Sequence, residues 1–506
     1  MLHLTRALCA SLALALPWAI APSHLTLAGA PGSPSATSPA PTTKQPTEVA
    51  NRRATPSPEH PLDAYVALDD GSFSWNATKT WTQDGVTIHA LRLTSQTWRS
   101  PEEVDRPLWQ HWVLVAIPAE VKFDTGMLFI EGGRHREAAP EKASNLLVEM
   151  AKGSSSIVAS VDNIPNQPLK FAGDKQGRVE DDLTSHSWML SMRDSDPTWI
   201  ARFPMVKSVV RAMDSVQSFR AGAIKDKSQS GPMLRSFVVA GGSKRGWTAW
   251  LTAAVDPRVA ATIPIVIDVL DIPTQARHHF AAYGFFSPAL ADYARNGILL
   301  KLGTPELENV LRYDDPIHYL SRVRVPAYIV TATGDEFFPI DSARFYESKL
   351  VNEHHFRATP NAGHSLKDTK VAQEVLGFYA SVLQERTRPT MTWSLRADGV
   401  LDVRSSVAPS RALLWSGDAP TRDFRLPTTG PVWKSSPLDA TPGDPTRFEA
   451  RLTPPEAGFR GYFVELRFEA SSPALVATTR AFVVPDVLPY AGAAIPKTPE
   501  AAVQAK

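Results

Sequence analysis

Between about Leu62 and Arg386, short runs of β-branched and aromatic residues alternate with longer amphipathic stretches. This is the rhythm of a largely parallel sheet covered by helices. Strands are expected at 86–93 and 112–117, read as an antiparallel opening, and then at 127–130, 157–161, 237–240, 263–267, 327–331 and 355–358, about eight in all. Helical periodicity at 204–219, 244–255, 342–350 and 370–383 supplies the crossovers. The stretch 278–319 is longer than an ordinary connection and carries Tyr283, Phe285, Phe286 and Tyr293, which predicts a helical cap over a substrate pocket. A packed excursion without ligand contact is the other reading.

After about Arg388 the pattern changes to short alternating strands separated by turn residues. It predicts a small all-β, sandwich-like domain over 388–488, followed by an Ala- and Pro-rich tail over 489–506 expected to be disordered. At the other end, Arg6 and the apolar run 7–21 predict a secretory signal peptide over 1–30, a retained N-terminal anchor being the alternative. The Pro-, Ser-, Thr- and Ala-rich stretch 31–61 buries too little apolar surface to order itself and is read as a flexible linker. An exported location, periplasmic or secreted, follows, with no transmembrane segment in the mature chain.

Charge changes the picture only by exclusion. The 506 residues hold 53 Lys and Arg against 52 Asp and Glu, interspersed, so the electropositive stripe of a nucleic-acid binder is missing. The single cysteine, Cys9, lies inside the expected signal peptide, which leaves the mature chain without a thiol nucleophile or a thiolate metal site. The His278–His279 and His354–His355 pairs lack metal-site spacing, so neither metal nor cofactor is expected. The pattern specifies no oligomeric state.

Candidate chemistry gathers at three strand ends. The run Val238-Val239-Ala240-Gly241-Gly242-Ser243-Lys244-Arg245-Gly246 passes from an apolar strand through a glycine-rich turn into a helix, as a nucleophile elbow requires. The usual motif is G-x-S-x-G; here Arg245 stands at the second glycine and Gly246 comes one residue later. A phosphate loop is excluded, because Trp247 replaces the lysine. A plain helix N-cap role for Ser243 stays open. A serine needs a base, and the base an orienting acid. Asp335 follows the strand at 327–331 and His364 follows that at 355–358, in the chain order Ser, Asp, His of an α/β-hydrolase fold. Asp268, after the strand at 263–267, is the alternative acid. Oxyanion donors are expected from the backbone N–H of Lys244 and from Gly133 or Arg134 in the turn Glu131-Gly132-Gly133-Arg134. Trp247 and Trp250 are assigned to packing.

The segments Gly242-Ser243-Lys244-Arg245-Gly246-Trp247-Thr248, Thr333-Gly334-Asp335-Glu336-Phe337-Phe338 and Pro360-Asn361-Ala362-Gly363-His364-Ser365 resemble the PhoPQ-activated pathogenicity-related protein family. The resemblance implies an exported α/β-hydrolase-like protein tied to bacterial envelope stress or virulence, and names no reaction. The elbow is also faintly similar to that of glucuronoyl esterases, which brings anionic or carbohydrate esters into view. Two functions are therefore expected: a serine hydrolase acting on a small-molecule ester or a peptide, or a non-catalytic envelope binding protein on the same scaffold.

Overall fold

The computed structural model describes residues 60–469, 473–496, 498 and 502–503. The expected signal peptide, Cys9 and all but the last two residues of the expected linker lie outside them. The description opens with helix α1 (Pro61–Ala67), started by a proline whose missing N–H has no helical partner to lose.

The central sheet takes in β1 (Ser74–Gln83), β2 (Val86–Thr97), β3 (Leu108–Ile117), β4 (Thr125–Ile130), β5 (Val158–Val161), β6 (Ser236–Gly242), β7 (Val259–Ile265), β8 (Ala327–Ala332) and β9 (His354–Thr359). Their order across the sheet is β1-β2-β3-β5-β4-β6-β7-β8-β9. The first three pair antiparallel and β3 meets β5 antiparallel, while the pairs from β5 through β4 to β9 are parallel. The helices are α2 (Asn145–Ser154), α3 (Glu180–Asp194), α4 (Arg202–Lys225), α5 (Lys244–Val255), α6 (Ile272–Tyr283), α7 (Ala291–Arg295), α8 (Pro305–Asp314) and α9 (Val371–Leu383). Alternate residues of one strand face opposite layers. Leu128 and Ile130 of β4 pack with α4 and α5, whereas Met127 and Phe129 pack with α2 and α9. Two apolar cores thus sandwich the sheet, and the strand ends on one edge are left to carry chemistry. Among the described residues no helix is long and apolar enough to cross a membrane.

The strands expected after Arg388 are present as β10 (Met391–Leu395), β11 (Val400–Ser405), β12 (Arg411–Ala419), β13 (Lys434–Pro437), β14 (Ala440–Thr441), β15 (Asp444–Arg451), β16 (Phe459–Phe468), β17 (Leu475–Thr478) and β18 (Phe482–Val484). Their arrangement departs from a free-standing sandwich. Only β10, β11, β15 and β14 form a separate sheet; β17 pairs antiparallel with β9 at Thr478 and Phe356, so β17, β16, β12 and β13 prolong the central sheet. Tyr328 and Val330 of β8 share one core with Leu475 and Ala477 of β17, and a separate domain would leave that face and the edge of β9 wet.

The tail also departs from expectation. Ala502 is buried, its carbonyl accepts the Phe286 N–H at 2.8 Å, and it packs with Phe280, Phe286 and Leu299 of the cap region. Small apolar residues there found an apolar surface, which composition alone does not reveal.

Candidate active site

The turn between β6 and α5 holds Ser243 at φ 55° and ψ −129°, a conformation that a non-glycine residue adopts only when its surroundings impose it. The imposing contacts are visible. A Cβ at Gly241 would lie 2.6 Å from the Arg245 carbonyl, and one at Gly246 would lie 2.7 Å from the Gly241 oxygen and 2.9 Å from Ile267. Strand and helix cross so closely that both positions must be glycine, and Gly246 fills the role expected at 245. The Ser243 side chain does not cap α5. Ser243 borders a cavity.

Arg245, freed from the crossing, turns toward the loop after β4. Its guanidinium pairs with Glu180 at 2.6 and 2.7 Å and donates from Nε to the Ile164 carbonyl at 2.6 Å. Gly132 makes room for it, since a Cβ there would lie 2.7 Å from Nη2. Glu180 also takes Lys244 Nζ at 2.7 Å and the Gln167 side-chain amide at 2.6 Å, and that amide reaches the Gly133 carbonyl at 2.8 Å. Burial alone would push the Glu180 carboxyl up, but Arg245 and Lys244 together hold it well below the usual range. One carboxylate therefore ties the elbow to the Gly132–Gly133 turn. Lys244 is the first residue of α5, where a backbone N–H has no helical acceptor, and Gly133 sits at φ 111°.

The remaining two expected residues meet directly. His364 Nδ1 lies 3.0 Å from each Asp335 oxygen, and Asp335 Oδ1 also accepts the Phe337 N–H at 2.8 Å. Glu336, which the sequence reading passed over, accepts the His364 backbone N–H at 2.6 Å; Gly363 leaves space for it, because a Cβ would lie 2.7 Å from its carboxylate. The imidazole packs on Phe337 at 4.4 Å between ring centroids. Phe337 and Phe338 form part of the cavity wall to which Ser243 belongs, so wall and imidazole are contiguous. Asp268, the alternative acid, goes elsewhere: Tyr346 donates to it at 2.6 Å.

The cavity is about 100 Å³ and is lined by Ser243, Lys244, Asp181, Trp188, Trp247, Gln275, His279, Phe286, Tyr293, Leu299, Phe337 and Phe338 among others. Much of the wall comes from the stretch expected to be a cap, which begins earlier than 278, at Ile272, and is joined by α3. Trp247 is buried as expected but also faces the cavity, four residues on from Ser243 and so one helical turn away.

A model of the PhoPQ-activated pathogenicity-related protein family matches residues 62–425. The chain belongs to this family. The match spans the elbow, the Asp335 and His364 loops and the cap, and ends at Arg425, beside the Asp335 loop. A curated relative, autocrine proliferation repressor protein A of Dictyostelium discoideum, is 33% identical over 459 residues, covering 85% of this chain and 91% of the relative. Among solved structures, this family member is similar to an acetyl xylan esterase from Paenibacillus sp. R4 (13% identity, TM-score 0.45, 67% of this chain and 100% of that one). A glucuronoyl esterase from Solibacter usitatus gives 15% identity and TM-score 0.37, over 66% of this chain and 89% of the other. At these scores neither likeness bears on activity.

Proposed function

We propose that the protein is an exported serine hydrolase that cleaves an ester or amide bond in a small-molecule or peptide substrate. The observation that carries the reading is the Asp335–His364 pair, 3.0 Å at both oxygens, beside a cavity bordered by an elbow-strained Ser243. Asp335 holds the tautomer with the proton on Nδ1, leaving Nε2 to take the Ser243 proton as Oγ attacks the substrate carbonyl. The oxyanion is received by the N–H of Lys244 and by that of Gly133 or Arg134, donors that do not have to reorganise. The proton passes from His364 to the leaving group, and water then frees the acyl group by the reverse path.

Labelling with a fluorophosphonate probe tests this. The native protein is expected to label and Ser243→Ala to lose the label; equal labelling of both removes Ser243 as nucleophile. The name of the Dictyostelium relative, a repressor of proliferation, favours a second reading in which the scaffold signals by binding and no probe reacts. Export rests on the apolar run over 7–21. N-terminal sequencing of protein recovered outside the cytoplasm should start beyond residue 21, and an intact Met1 on that protein overturns cleavage.

A further inference from the structure

Glu180 opens α3, a helix that packs on α7 and α8 of the cap, at φ 52°, a left-handed value that a glutamate holds only when its surroundings impose it. The constraint is Gln167. Its Oε1 accepts the Glu180 N–H at 2.7 Å, while its Nε2 donates to Glu180 Oε1 at 2.6 Å and to the Gly133 carbonyl at 2.8 Å. Gln167 is buried, and its own N–H is held by Asn163 Oδ1 at 3.1 Å. The neighbouring Gly132 carbonyl accepts the Asn163 N–H at 2.7 Å. A peptide unit is planar, so fixing both carbonyls also fixes the directions of the Gly133 and Arg134 N–H groups. Among the described residues neither of those N–H groups has an acceptor, and neither has that of Lys244. The same Glu180 carboxylate takes Arg245 and Lys244, the two residues after Ser243, and Asp181 takes Lys244 a second time at 3.2 Å. One side chain therefore holds two segments that are distant in sequence and adjacent in space, where β4 and β6 end with Ile130 beside Gly241.

We propose that Glu180 is a positioning residue: with Gln167 it sets the Gly132–Gly133 turn against the elbow, so that the backbone donors of the two segments receive one developing oxyanion. This role rests on Ser243 being the nucleophile, because only then does an oxyanion form there. An oxyanion hole is effective when it is organised before the charge appears, and a turn free to rotate its peptides would have to be reordered at each turnover. Glycines leave such a turn prone to rotate, and Gly133 at φ 111° lies where glycine is the residue of choice. The bonds from Gln167 and Asn163 remove that freedom. Glu180 and Asp181 also balance the charges of Lys244 and Arg245, which leaves the oxyanion to the backbone N–H groups. Because Glu180 belongs to α3, a shift of the cap would loosen the turn as well.

Hydrolysis of 4-nitrophenyl acetate by the full-length protein tests this, with thermal melting followed alongside. Glu180→Gln keeps the size of the side chain but loses the charge that draws Arg245 and Lys244; kcat is expected to fall about 100-fold while KM stays within about twofold. Gln167→Met keeps the length of the side chain without its amide and should lower kcat by about tenfold or more. Adding Glu180→Gln to Gln167→Met should cost less than Glu180→Gln costs alone, because both act through one turn. Asp256→Asn disturbs a buried ion pair with Arg258 at the far end of α5, and should lower the melting temperature and leave kcat in place. Unchanged kcat in a folded Glu180→Gln overturns the proposal. A loss carried by KM overturns it too, as does a loss that only tracks the fraction of folded protein in Glu180→Gln and Gln167→Met alike. A native protein that hydrolyses no ester and takes no fluorophosphonate overturns the hydrolase reading and leaves Glu180 nothing to position. Hydrolysis by the native protein with kcat retained in the variants overturns the positioning role alone.

Discussion

Three carboxylates, Asp268, Asp335 and Asp341, lie buried near the end of the sheet, and each meets a different fate. Asp335 is engaged by His364 and the Phe337 N–H. Burial would raise Asp341, but His278, Arg422 and Arg344 overcome it and hold the group far below the carboxylate range. Burial, with the charges of its two neighbours adding to it, outweighs the hydrogen bonds that Asp268 receives from the Tyr346 hydroxyl and the Ala343 backbone, and pushes it up to about 7. The native state therefore keeps a proton that the unfolded chain, with an ordinary value of 3.8, gives up. That contribution to stability is complete below about pH 4, fades as pH rises toward 7 and is gone above it. Asp268→Asn removes the titration but still accepts from Tyr346. Urea unfolding from pH 4 to 8 should show the variant gaining on the native protein across that window by about a few kcal/mol, and parallel curves would sink the assignment. Since Asp335 orients the imidazole, Asp268→Asn should keep probe labelling, whereas Asp335→Asn should slow it by about 10³-fold or more.

At the scale of elements, what the sequence made legible follows burial on both faces. The parallel strands β4, β5, β6, β8 and β9 stand within a residue or two of the apolar runs that announced them, and α5 has the bounds read from its period. The missed elements are those whose own residues show little apolar periodicity. β1 is an edge strand with a mostly wet outer face, so Thr and Lys alternate where Val would mark a core strand. α3 opens on Glu180, Asp181 and Asp182 and buries Thr184, Ser185 and Ser187 under the cap, leaving little amphipathic signal. β7 was expected at 263–267 and is found at Val259–Ile265, because Val266 turns to φ 44°. The helix expected at 342–350 is two short 3₁₀ turns, and the carboxylate of Asp341, the residue before it, caps nothing there because His278 and Arg422 claim it. The site divides along the same line. Ser243, Asp335 and His364 were legible as candidates because each follows a strand end, where this topology places functional groups. Glu180, Gln275 and Trp188 carry no such local mark, since only the folded cap brings them to the elbow.

The molecule as a whole does not divide at Arg388, because the last strands complete the core that supports the site. Tyr328 of β8 donates to the Val476 carbonyl at 2.8 Å, and the Ala358 N–H of β9 is taken by Thr478 Oγ1 at 2.9 Å. Gly377 of α9 comes so near Ala474 that a Cβ would lie 2.4 Å from its oxygen. Two further ties reach the Asp335 and His364 loops: the Leu426 N–H donates to the Gly334 carbonyl at 2.8 Å, and Asn361 exchanges two bonds with the Trp433 backbone at 2.8 and 2.9 Å. Leu466, Phe468, Leu475 and Phe482 belong to the same core as Tyr328, Val330 and Phe378. At about 1.5–3 kcal/mol for each buried side chain, losing four such residues removes about 6–12 kcal/mol, as much as most domains possess. The edge of β9 would also be bared, with unpaired backbone groups that template aggregation. A chain ending at residue 387 is therefore expected to show no cooperative thermal transition and no fluorophosphonate labelling. A truncated chain that melts near the full-length temperature and labels at Ser243 would show instead that the C-terminal strands are an appendage to a self-sufficient hydrolase core.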